Sequence, residues 1–138
     1  MPLSTLPSGH ARAAAARSRY VTDTVETVSP SRLVTMLYDA LVRDLVIAED
    51  TLNGSRDLRL VNDRLVHAQA IVLELQAGLD PTKWEGGPGL ARLYRFLHDE
   101  LVRANVEKDA VRVASCRLLV EPLRQAWHEA ADSLAKSA

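Results

Sequence analysis

The residues able to do chemistry in this 138-residue chain are few: His67, His98 and His128 in apolar-periodic stretches, the single cysteine Cys116, and the glycine cluster "GGPG" at 86–89. A di-metal site in a helical bundle needs Glu-x-x-His, because that spacing turns both ligands to one face. Three residues ahead of these histidines stand Arg64, Arg95 and Gln125, so the test fails at each and the histidines read as polar surface residues. His67 could instead accept a phosphoryl group, which wants a solvated imidazole beside a cation. "LVHAQAIVLEL" supplies no lysine one turn later, only Ala70 and Ile71. Cys116, next to Arg117, could be activated as a thiolate, but a lone helix cysteine also serves as a small apolar filler, and we read it so. "GGPG" has no strand before it and no Lys-Ser/Thr after it, so it is no phosphate loop. Ser29-Pro30 is explained as a helix start without invoking phosphorylation. No catalytic residue, metal ligand or cofactor site is expected.

The totals narrow the class further. Seventeen basic against eighteen acidic residues give no basic excess for nucleic acid or an anionic membrane. No apolar run approaches the roughly 18 residues of a membrane span. One cysteine excludes an internal disulfide and suits a reducing compartment, so a cytoplasmic location is expected. The length suits one domain. Few aromatics and abundant Leu, Val, Ala and Arg predict an all-α chain.

The elements follow from periodicity and punctuation. Residues 1–19 carry Pro2, Pro7 and Gly9 without apolar period and are expected to be a mobile arm. Residues 20–28, "YVTDTVETV", are too apolar for a plain linker and too short for an isolated helix. The bundle domain, taken with this segment, is 20–138. A first helix should start at the Ser29 cap with Pro30 behind it and end at Asn53-Gly54. A second should run from about Asp57 to Leu79 on the seam Leu58, Val61, Leu65, Ala68, Val72, Leu75 and Leu79. "TKWEGGPG" reads as a loop. A third helix is expected from about Leu90 to Ala104, with Leu90, Leu93, Leu97 and Leu101 inward and Asn105 closing it. A fourth, capped by Asp109, should reach about Leu134 with Val111, Ala114, Leu118, Leu123 and Trp127 inward and Pro122 bending it. Short links make this an up-down antiparallel four-helix bundle.

Apolar area remains to be explained. Leu33, Val34, Met36, Leu37, Tyr38, Leu41, Leu45 and Ala48 cover more than half of the first helix, and Val42, Val46 and Ile47 widen the arc. A bundle helix ordinarily buries a stripe of somewhat over about 100°. A central helix touched from several sides would account for this. The second helix also has apolar residues beside its seam, in Leu60, Val66 and Ile71, and two such helices suggest a groove for a partner helix or extended peptide.

Tyr20, Val25, Thr27, Ser29-Pro30, Leu33 and "MLYD" at 36–39 open a pattern continued by "AQAIVLEL" at 68–75, Leu93-Tyr94, "LVRAN" at 101–105, Asp109 and "LLVEPLRQAW" at 118–127. In order and spacing, over about residues 20–130, it resembles the flagellin-specific export chaperone family (FliS-type). Arg32 stands where that family often has a glutamate completing the reciprocal N-cap. The resemblance implies a cytoplasmic helical bundle that binds the C-terminal segment of flagellin, blocks its premature polymerisation and keeps it competent for the type III flagellar export apparatus. It also implies that the Tyr-containing segment 20–28 can lie over part of the binding surface as a lid. Partner contacts are then expected among Tyr20, Val25, Tyr38, Ala68, Ile71, Leu75, Tyr94 and Leu97. Two other classes stay open: a phosphotransfer bundle using His67, and a structural bundle whose spare face is a self-interface.

Overall fold

The structure is a computed structural model that describes residues 29–137, all of them in four helices and their links. The expected arm at 1–19 and lid at 20–28, with Tyr20 and Val25, lie outside the described residues. The helices are α1 (Pro30–Asn53), α2 (Leu58–Ala77), α3 (Gly87–Glu107) and α4 (Ala110–Ser137). α1 packs most extensively, against α2 on one side and α4 on the other; α2 packs on α3, and the α3–α4 seam is the loosest. Hydrogen bonds fix the directions. Asp39 reaches Arg124 and His128 while Glu49, ten residues later, reaches Arg117, so α1 and α4 run antiparallel.

The start signals act as the sequence predicts. Ser29 Oγ accepts from the Arg32 amide at 3.2 Å, and Asp57 Oδ1 accepts from the Leu60 amide at 3.2 Å. Asp109 Oδ1 accepts from the amides of Val111 and Arg112. Each occupies backbone donors that have no partner inside the helix.

Four expectations are corrected. α3 begins at Gly87 rather than Leu90, so "GPG" is its first turn and not loop. Pro88 belongs there because the first turn needs no amide donor. α3 also runs past Asn105, whose side chain instead donates to Asn62 of α2 at 2.8 Å; Lys108, in the left-handed region at φ 52°, ends the helix. On α4 the inward residues are Val113, Cys116 and Val120, while Val111 and Leu118 are 75% and 63% exposed. Both stripes have helical spacing; ion pairs flank the one that is buried. Arg112 with Glu100, Arg117 with Glu49 and Arg124 with Asp39 tie α4 to α3 and α1, and the residues between these anchors turn inward. On α2, Leu58 is exposed and Ile71, expected beside the seam, is 5% exposed within the core. α2 meets both α1 and α3, so its buried stripe is wider than a single seam.

The same geometry absorbs most of α1's broad arc. Tyr38, Leu41, Leu45, Ala48 and Leu52 are buried, with Val34, Leu37, Ala40 and Val42 partly buried against them. α1 is the central helix touched from two sides.

Candidate partner-binding groove

Among the described residues, one end of the bundle is left open. The first turns of α1 supply Pro30, Leu33, Val34 and Leu37; the last turn of α2 supplies Leu75, with Gly78 and Leu79 just beyond it. Tyr94 of α3 and Trp127 of α4 complete a largely apolar groove of about 160 Å³. Its rim includes the first helical residue, Pro30.

The aromatic residues are fixed from below. Tyr38 and Tyr94, both buried, share a hydrogen bond between hydroxyls at 2.7 Å. Burial, then the neighbouring Tyr38, pushes the Tyr94 hydroxyl far above its ordinary range, and burial raises Tyr38 as well. Both stay neutral; Tyr94 bonds to Tyr38, and Tyr38 bonds to the Trp127 side chain as well. The Tyr38 and Trp127 rings stack with centroids 6.3 Å apart and planes 26° from parallel. Trp127 is held in turn by its neighbours on α4. Arg124 Nε and His128 Nε2 lie 2.6 and 2.7 Å from the same oxygen of Asp39. Burial alone would raise the Asp39 carboxyl, but the hydrogen bonds from His128 and Arg124 and their charges bring it below its ordinary value.

Of the residues expected to touch a partner, Leu75 and Tyr94 line the groove and Tyr38 lies beneath it. Ala68, Ile71 and Leu97 are buried elsewhere in the core and are not lining residues. The sequence reading missed Leu79 and Trp127 as lining residues because it placed both simply inward. It also singled out none of Leu33, Val34 and Leu37, although all three stood in the wide arc.

A second apolar stretch runs outside. Asn105 bonds to Asn62, and Gln69 Nε2 donates to the Leu101 carbonyl, which sets Val66 of α2 level with Val102 of α3 on the outer flank of that pair. Both side chains are exposed, as are Val106 one turn further along α3 and Phe96 on its other flank.

The chemistry-bearing residues are otherwise engaged. His67 Nδ1 lies 2.5 Å from Asp44 Oδ2, and Arg64 lies 3.4 Å from Oδ1 of that fully buried carboxylate. His67 and His128 therefore tie α1 to its neighbours rather than simply facing solvent. Burial, with Glu100 adding and Arg112 opposing, pushes the Cys116 thiol up to about 11, which suits a filler and not a nucleophile. No cluster of three metal-ligating side chains exists among the described residues, and no helix there is long and apolar enough to cross a membrane.

The described residues form an all-α four-helix bundle with an apolar groove at one end, which defines the class as a helical-bundle protein. The comparisons with known proteins agree. Residues 12–134 match the family described as flagellar protein FliS, and the chain belongs to it. It is 28% identical over 114 residues to the flagellar secretion chaperone FliS of Bacillus subtilis (strain 168), covering 83% of this chain and 84% of that protein. The family places this bundle among the flagellar export chaperones.

Proposed function

We propose that this chain binds the C-terminal segment of flagellin in the cytoplasm, working by occupancy and not by catalysis. Covering that segment withholds it from other subunits and delivers it unpolymerised to the flagellar export apparatus. The observation that carries the reading is the groove: apolar walls from all four helices around an aromatic floor. The exposed valines along α2 and α3 extend the apolar surface available to a wrapping chain. Such a ligand orders as it binds, and coupled folding and binding buries on the order of 1,000–3,000 Å², more than the groove alone offers. On this reading Leu75 and Tyr94 contact the partner, while Tyr38, Ala68, Ile71 and Leu97 support the surface from within. The segment with Tyr20 and Val25 competes with flagellin as a lid.

Calorimetric titration with a C-terminal peptide of the host's flagellin tests this. A saturable, one-to-one heat with a strongly negative heat-capacity change is expected; no binding to the folded protein refutes it. Tyr20→Ala with Val25→Ala should bind more tightly than the unaltered chain, and deletion of residues 1–19 should change little. Weaker binding by the double variant would make Tyr20 a direct contact instead of a lid.

A further inference from the structure

α4 is one helix in outline but is held in two different ways. Up to Val120 it has three buried residues and anchors to two neighbours, through Arg112 to Glu100 of α3 and Arg117 to Glu49 of α1. Beyond Val120 it has no buried residue; only Leu123 and Trp127 pack partly against the core. Among the described residues, every ion pair from 122–137 to another helix ends on Asp39, and the Trp127 side chain adds a hydrogen bond to Tyr38. Pro122 lies between these regimes and has no amide to donate to the Leu118 carbonyl, so the backbone ladder is weakest where the packing changes.

We propose that Asp39 is the positioning residue of the groove: through Arg124 and His128 it latches the part of α4 beyond Pro122, and with it the Trp127 wall, onto α1. The segment from Leu123 onward moves as one unit about Pro122. With the latch closed, Trp127 stacks on Tyr38 and narrows the groove. With it open, the ring leaves and an entering apolar segment meets a wider cleft over Tyr38 and Tyr94. Low-stability elements that open as a unit are those with few buried contacts, and 122–137 has the fewest in the bundle. The inference rests on the groove being the binding site, but the motion can be measured without a partner.

The chain has two tryptophans, so Trp84→Phe leaves Trp127 as the sole reporter. In that background Asp39→Ala should raise acrylamide quenching of Trp127 and speed amide exchange across 123–137 at least about tenfold, leaving 110–120 unchanged. Arg124→Ala with His128→Ala, which unmakes the latch from the other side, should reproduce the pattern. Adding Pro122→Ala to Asp39→Ala should slow that exchange again, a rescue that generalised destabilisation would not show. Faster exchange spread evenly along α4, or unchanged quenching in both latch variants, overturns the proposal. For the flagellin peptide, Asp39→Ala should shift the association rate at least about threefold. If the peptide binds no variant, the unaltered chain included, while the exchange boundary at Pro122 holds, the latch stands and the partner assignment falls.

Discussion

Two buried tyrosines joined hydroxyl to hydroxyl, with the Trp127 side chain also bonded to Tyr38, test how polar groups are tolerated in this core. Tyr38→Phe alone strands the Tyr94 hydroxyl and should cost about 1–3 kcal/mol in urea unfolding; Tyr94→Phe, which leaves Tyr38 its bond with Trp127, should cost less. Replacing both removes the need along with the bond, so the double variant should be more stable than the sum of the singles predicts. Strict additivity would mean that the two hydroxyls do not depend on each other. Cys116, with its thiol raised to about 11 by burial, should react with a maleimide at neutral pH only as fast as the protein unfolds. Rapid labelling of the native protein would contradict its place in the core. Asp39 has the opposite sign of shift. Its carboxyl is lower in the folded state, so the stability it contributes is complete above the ordinary carboxylate value near about 3.9 and is lost as pH falls through the lowered one. The stability gap between the unaltered chain and Asp39→Asn should therefore shrink on acidification below about pH 4, measured by denaturant unfolding. The sequence showed these residues but not their pairing. Tyr38 and Tyr94 stand 56 positions apart, and Asp39 and His128 stand 89 apart.

At the scale of the helix, the capped starts were legible, while both ends of α3 and the rotation of α4 were not. Ser29 and Asp109 read as caps, and Asp57 as the start of the second helix, because capping is a contact within three residues, set by local chain geometry. The start of α3 was hidden by its glycines, which announce a loop unless a tertiary contact explains them. Gly87 has that contact: a side chain there would place its Cβ 2.4 Å from the Pro81 carbonyl oxygen. Gly87→Ala should cost about 1–3 kcal/mol in thermal or urea unfolding, since a backbone carbonyl yields less readily than a side chain. Gly89→Ala, where the nearest atom is the end of Arg92 at 3.8 Å, should be neutral or slightly stabilising because it removes a glycine from a helix. Similar losses at both positions would place the constraint elsewhere. The rotation of α4 escaped the sequence for a different reason. Two apolar stripes, Val111-Ala114-Leu118 and Val113-Cys116-Val120, fit one helix, and only partners on α1 and α3 decide between them.

Across the whole molecule, the order of packing creates the groove. α1 lies between α2 and α4, and among the described residues the four helices leave an open groove at Pro30, Leu79, Tyr94 and Trp127. Leu79→Asp should weaken flagellin binding at least about tenfold while the melting temperature falls little, because it lies half-exposed at the rim. Ile71→Asp, a charge placed in the core, should cost several kcal/mol and lower the melting temperature steeply. The reverse ranking in melts and titrations would move the surface to the middle of α2. By itself the sequence determined the helix count, the caps, the class and the family, because each depends on local periodicity or on residues kept in order along the chain. Only the tertiary structure decided that Ile71 is core, that Val111 and Leu118 face out, and that Leu37, Leu79 and Trp127 share a groove. Periodicity fixes which residues share a face of one helix. Which face meets a neighbour, and which is left open, depends on contacts between residues far apart in the chain.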